Sequence, residues 1–294
     1  MTTQAPEIAA KREKTELVLK NIYNLPSTPA ILTDVMNLLN DKSVNTSKVT
    51  QVISKDQSLV TKILTIANSP LYGLQRKVTN LDFAILLLGF SELRNIVSTI
   101  SVMESVKNKT DKFLDQKEFW LHSYLTGTAS KRLADDLGYD NPGEAFVSGF
   151  LHDLGITVMH RFLHSNYVAI HEKATNGEAL FLEAEIEVLG LGHMDIGQFL
   201  LEKWNFPVTL CESIANHHNP SNAKNSEFLS AIIHLADYMT QKLQIGAAFW
   251  DVGMEFSEES MKVLRFSNEA ELNGFIEGYR EIFTEQLESA RYFS

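Results

Sequence analysis

Nine histidines accompany a single cysteine, Cys211, in this chain of 294 residues, which directs attention to imidazole and carboxylate chemistry rather than thiol chemistry. The sharpest local string is His152-Asp153-Leu154-Gly155. Nine His and thirteen Asp in a chain of this length give about 0.4 His-Asp dipeptides by chance, so the pair alone is weak evidence. Its context strengthens it. Phe146, Phe150 and Leu151 mark an apolar helix, and Gly155 permits close backbone approach just where two ligand-type side chains emerge. Adjacent residues supply two converging donors, whereas a divalent ion takes roughly four to six. The others must come from distant elements: His122, His193, the pair His217-His218, and Asp237. Asp237 is telling, because a carboxylate amid Ile232, Ile233, Leu235, Ala236 and Met239 is costly to bury unpaired, and a metal or a basic partner would offset that cost. The alternative is a metal-free, hydrogen-bonded His-Asp pair. His193 and His217 also fit capping roles beside a glycine or at a helix end, and His160, His164 and His171 read as surface or helix-end residues.

Long helices must position these side chains. Fifteen Gly and seven Pro are too few to punctuate many short strands, so the chain reads as all-α. After Leu25-Pro26-Ser27-Thr28-Pro29, with Pro29 suited to a first helical turn, Ile31, Val35, Leu38 and Leu39 recur at helical spacing. Thr46 or Ser47 can cap a helix through Val49, Val52 and Ile53, and Asp56 or Ser58 another that stops at Asn68-Ser69-Pro70. The apolar run 81–88 reads as a buried helix ending at Gly89, with a further helix over 92–106. Helical periodicity returns over 119–137, 144–163, 178–189, 196–204, 207–218 and 229–243. Asn268 and Glu271 resemble a capping box opening an amphipathic helix through Leu272, Phe275, Ile276, Tyr279, Ile282 and Phe283. That helix either packs on its own chain, the favoured reading, or pairs with a second copy to make a homodimer. The expected divisions are a flexible leader (1–20), an N-terminal helical subdomain (21–110), a second helical subdomain (111–243) and an acidic helical extension (244–294).

A 44% hydrophobic composition is enough to bury a core and excludes wholesale disorder. The net charge of −11 disfavours non-specific binding to nucleic acid. Much of that charge lies in residues 251–294, which hold ten acidic and four basic side chains. One cysteine, an N-terminus without an apolar h-region and no apolar run near 18 residues predict a cytoplasmic protein that does not engage a membrane.

The order His122, His152-Asp153, Asp237 resembles the ligand signature of the HD superfamily of helical metal-dependent phosphohydrolases, and the fuller pattern resembles the HDOD domain. The strings that carry it include Leu25-Pro26 with Pro29, Ile53-Ser54-Lys55-Asp56-Gln57-Ser58-Leu59, Ala67-Asn68-Ser69-Pro70, Trp120-Leu121-His122-Ser123, 150–155, Gly192-His193 with Gly197, Trp204, Pro207 and His217-His218-Asn219-Pro220, over about residues 20–240. The resemblance implies a bacterial signalling or regulatory module on an HD-type bundle. By likeness to two-metal HD proteins, His122, His152, Asp153 and Asp237 would hold one ion, with Asp153 bridging and acting as the catalytic carboxylate. His193 with His217 or His218 would hold a second, the ions being Fe, Mn, Zn or Mg. Two departures weigh against catalysis. Ile156 stands where many active relatives have Lys, and Asn219-Pro220-Ser221 replaces the acidic residue and Gly-Tyr-Pro of the subfamily that hydrolyses cyclic dinucleotides. A phosphate-binding cation would have to come from Lys131, Arg132 or Arg161 folding inward. The expectation is therefore a module acting through a signalling protein partner, with a metal-dependent phosphohydrolase as the alternative.

Overall fold

The computed structural model describes residues 4–21, 30–41, 43–70 and 76–290, and among these there are helices and no strand. The Leu25 to Pro29 string lies outside the described residues. In chain order the helices are α1 (Gln4–Lys20), α2 (Ala30–Asn40), α3 (Thr46–Ile53), α4 (Gln57–Ala67), α5 (Leu81–Val106), α6 (Gln116–Leu137), α7 (Pro142–Leu151) and α8 (Leu154–Phe162). They continue with α9 (His164–Thr175), α10 (Phe181–Leu189), α11 (His193–Lys203), α12 (Val208–Ala215), α13 (Glu227–Leu243), α14 (Glu258–Val263), α15 (Glu269–Glu277) and α16 (Arg280–Ala290). The chain is all-α, as its sparse glycine and proline predict.

Side-chain caps set many of the boundaries. Asp56 accepts from Leu59 N and Asn80 from Phe83 N at the starts of α4 and α5. Asn45, rather than Thr46 or Ser47, caps α3, accepting from Lys48 N. Asn68 ends α4 and clamps the returning chain, donating to Leu64 O and Val78 O while its Oδ1 accepts from Val78 N.

Three further expectations need correction. Residues 4–20 of the supposed leader are helix α1, docked on α10 through Thr15 Oγ1 to Leu189 O (2.8 Å) and Lys11 Nζ to Glu187 O (2.9 Å). By contrast, the two helices expected over 81–88 and 92–106 are present: Gly89 leaves helical geometry (φ 74°, ψ 168°) and parts the two pieces that share the label α5. By length and composition α5 is apolar enough to cross a membrane, which a search for uninterrupted apolar runs misses because Glu92 and Arg94 interrupt it. The span 144–163 is two helices, α7 and α8, parted at His152-Asp153. Finally, the terminal amphipathic helix is two, α15 and α16, broken at Gly278.

Two apolar cores result. One joins α2–α5 to α6–α12, with Val35, Ile63, Ile96, Tyr124, Phe150 and Tyr167 fully buried. The other lies between α6, α13 and the C-terminal helices, where Leu272, Ile276 and Phe283 pack in cis on Leu133, Ile232 and Met239.

Candidate metal centre

All seven residues singled out in the sequence converge at one buried point. His122 comes from the middle of α6 and Asp237 from α13, while His152 and Asp153 form the break between α7 and α8. His193 is the first residue of α11, and His217-His218 follow α12. Two glycines make the convergence feasible. A Cβ on Gly155 would lie 1.9 Å from His193 O, so only glycine lets the start of α11 cross the start of α8 and bring His193 to Asp153. A Cβ on Gly149 would lie 2.3 Å from Ser130 Oγ and 2.9 Å from Thr126 O, so α6 and α7 approach closely and set His122 against His152.

The imidazoles are oriented alike. Nδ1 of His122 donates to Gly246 O (2.9 Å), that of His152 to Gly149 O (2.8 Å), that of His217 to Ile214 O (2.7 Å) and that of His193 to Glu185 Oε2 (2.9 Å). With Nδ1 carrying the proton, each Nε2 presents its lone pair inward, the outer-shell arrangement typical of metal-ligating histidine. His122 and His152 then face each other Nε2 to Nε2 at 3.3 Å, His193 and His217 at 3.3 Å, and His193 and His218 at 3.0 Å. Two bare lone pairs at that separation repel, so either a proton on one nitrogen or a metal ion between them must hold each pair together. Ligand atoms at about 2.0–2.1 Å from a tetrahedral ion are about 3.3 Å apart.

Asp153 joins two donor groups. Its Oδ2 lies 3.1 Å from His152 Nε2 and 3.4 Å from His122 Nε2, which is itself 3.4 Å from Asp237 Oδ1. Its Oδ1 lies 3.3 Å from His193 Nε2 and 3.8 Å from His217 Nε2. These side chains are 0–2% exposed, and only His218, at 14%, reaches solvent. Asp153 Oδ1 and both carboxylate oxygens of Asp237 and Asp251 are buried without a hydrogen-bond donor. Orphaned anionic oxygens around inward-facing imidazoles are the donor set that divalent cations satisfy, so the residues fit a metal.

Electrostatics shows how strained this cluster is without one. Burial opposes charge on His122, yet Asp153 and Asp237 hold its pKa well above the imidazole range. Burial likewise opposes the His193 cation, and Glu185 overrides it, raising the pKa to about 9. Burial together with His152 and His193 drives His217 down to about 3. Asp251, buried beside the Asp237 and Asp153 carboxylates, is pushed well above the carboxylate range. Protons must therefore be distributed unevenly among neighbouring groups, and metal would displace them.

Three participants were not foreseen. Asp251 Oδ2 lies 3.8 Å from His122 Nε2, Glu185 accepts from both Nδ1 and backbone N of His193, and Trp250 Nε1 donates to Asp153 Oδ2 at 2.6 Å. Glu185 carried a legible signal, since it sits four residues from both Phe181 and Leu189 on the buried stripe of α10. Trp250 and Asp251 were assigned to an extension beginning at 244. Instead Gln241 Nε2 bonds to Ala248 O and Gly246 O receives His122, folding this turn back over the centre. None of the three candidate cations turns inward. Arg132 pairs with Asp136, Lys131 approaches Glu92, and Arg161 donates to Ser105 O and Lys107 O. Ile156 is wholly buried.

A helical bundle closed around two shared His and Asp donor groups defines an HD-type class of protein. The HDOD domain profile matches residues 25–220, and the chain belongs to the HDOD domain family. Among solved structures it resembles an HDOD domain protein with unknown function from Geobacter sulfurreducens, at TM-score 0.78 and 22% identity over 97% of this chain and 99% of that one. It also resembles a Shewanella amazonensis protein named "Putative phosphohydrolase" (TM-score 0.71, 22% identity, 94% and 98% covered). A third is a Marinobacter aquaeolei protein named "Putative signal transduction protein" (TM-score 0.70, 16% identity, 98% and 67% covered). These likenesses establish the fold. The chain spans less than half the length of curated relatives it matches, 42% of one from Treponema pallidum and 35% of YuxH from Bacillus subtilis.

Proposed function

We propose that this chain is a regulatory module that works in the cytoplasm by engaging a signalling protein, with divalent metal fixing the shape of its helical bundle. The observation that carries this reading is the 2.6 Å hydrogen bond from Trp250 Nε1 to Asp153 Oδ2. Asp153 faces both donor groups, and the indole N–H occupies the same oxygen that lies nearest His122 and His152, closing protein over the carboxylate the two groups share. Ile156 at the position of a family lysine, and the diversion of Lys131, Arg132 and Arg161 to other partners, support the same reading. The net charge of −11 favours a protein partner over nucleic acid or an anionic bilayer. Metal analysis of untagged protein, followed by a phosphoester panel with Mn²⁺, Fe²⁺ or Mg²⁺, tests it. Bound metal without turnover is expected. Turnover abolished by His152→Ala or Asp153→Ala with the fold intact overturns the proposal.

The second reading, a metal-dependent phosphohydrolase, is favoured by the convergent donor set itself. His122, His152, Asp153 and Asp237 would hold one ion and His193, His217 and His218 another. Such ions supply Lewis-acid polarisation of a phosphoryl oxygen and a more acidic water. Trp250 would have to withdraw from Asp153, so Trp250→Phe raises turnover on this reading. Stoichiometric absence of metal removes it.

A further inference from the structure

A second group of donors lies at the opposite end of α8. His160, in its last turn, follows Asp153 by seven residues, about 10 Å along a helix axis. His160 sits at a helix end, one of the two places its sequence position suggests, but it is buried there, at 3% exposed. Its Nε2 lies 3.0 Å from Asp111 Oδ2, and His164 Nε2 lies 3.7 Å from the same oxygen. Asp111 belongs to the connector between α5 and α6, so the three donors come from segments about 50 residues apart.

Each donor is held ready. Asp111 Oδ1 accepts from Phe113 N (2.8 Å) and Leu114 N (3.1 Å), which leaves Oδ2 for the histidines. His164 Nδ1 donates to His160 O (3.1 Å), so its Nε2 offers a lone pair. Edge-on contact with Phe113 orients the His164 ring, and Tyr167 does the same for His160. His160 Nε2 is buried and, despite its nearness to Asp111, is out of line for a hydrogen bond. Separations of 3.0 and 3.7 Å straddle the spacing of about 3.3 Å around a tetrahedral ion.

We propose that Asp111, His160 and His164 form a zinc site, separate from the buried centre, which fastens the α5–α6 connector to the α8–α9 corner. Two imidazoles and one carboxylate suit Zn²⁺, and the half-exposed His164 leaves the fourth position to water. One side chain must adjust. Asn108 Nδ2 stands 2.9 Å from His160 Nδ1 while its Oδ1 accepts from Lys109 N. Zinc on Nε2 requires a proton on Nδ1, so the Asn108 amide turns to present its oxygen, and the exposed Lys109 N–H passes to solvent.

That adjustment makes the site testable in both directions. The intact chain is equilibrated with Zn²⁺, dialysed, and its zinc counted by plasma mass spectrometry for wild type, His164→Ala, Asp111→Asn and Asn108→Asp. Asparagine at 111 still accepts from the Phe113 and Leu114 amides, and residue 164 is half exposed, so both variants keep the local fold. His164→Ala and Asp111→Asn are expected to hold one equivalent fewer than wild type. Asn108→Asp, whose carboxylate accepts from His160 Nδ1–H without turning, is expected to bind that equivalent about tenfold more tightly. A purely structural Asp111–His160 pair moves neither quantity. Equal zinc in wild type and His164→Ala, or an affinity that Asn108→Asp leaves unchanged or weakens, overturns the proposal.

Discussion

At the scale of single residues, burial makes each polar partner of the centre costly to remove. Glu185 is fully buried and holds His193 from two directions, through its ring and its backbone. Glu185→Gln keeps the shape but loses the charge, so metal held by His193, His217 and His218 is expected to weaken about 10–100-fold, read as a shift in a metal titration. Unchanged affinity would show that the carboxylate does not orient the imidazole. Residue chemistry was legible in the sequence where two ligand types stood side by side, as at His152-Asp153, or where a charge interrupted an apolar helix, as at Asp237. It was not legible at Asp251, whose neighbours Phe249 and Trp250 gave no periodicity to read. Nor did it separate His160 from its exposed neighbour His164, because burial there is decided by a connector about 50 residues away in sequence.

Among the elements, the joints matter more than the helices. Caps and apolar spacing announced most helices, but the break between α7 and α8 contains neither Gly nor Pro, so 144–163 read as one piece. What forces the break is tertiary: the start of α11 passes over Gly155. Gly155→Ala would press a methyl group into His193 backbone and is expected to cost at least the 1–3 kcal/mol or so of an overpacked core, measured by urea unfolding, together with loss of metal. A second joint follows the His217-His218 pair, where Glu212 accepts from Lys224 N, Asn225 N and Ser226 Oγ. Burial alone would raise the Glu212 pKa, but these donors outweigh it and lower it below 4.5. A depressed folded pKa gives stability that is present above the unfolded value and disappears as pH falls through the folded one. Because solvent screens this group, Glu212→Gln is expected to cost less than about 1 kcal/mol at pH 7 and progressively less as pH falls below the ordinary carboxylate range, by denaturation across pH. A pH-independent difference would mean that the carboxylate charge contributes nothing.

For the molecule as a whole, helical class was legible because it depends on composition summed over the chain, and scarce turn residues left long helices as the remaining choice. The docking of residues 4–20 on α10 was not, since that helix carries no continuous apolar stripe: Leu19 enters the core, while the contact with α10 runs through Thr15 to Leu189 O. Closing so many helices around unpaired donors links metal to folding. Chelation should lower the melting temperature by several degrees, as expected when a ligand at about a hundredfold over its Kd contributes about 2.7 kcal/mol. His122→Ala should lower it too and shrink the response to chelator, and a melting curve indifferent to both would dissociate the centre from stability. The indole on Asp153 has one more consequence. Of the three tryptophans in the chain, Trp250 alone hydrogen-bonds a carboxylate of the centre, so its emission should change colour and intensity whenever a cation takes that oxygen, and the protein carries its own optical gauge of occupancy.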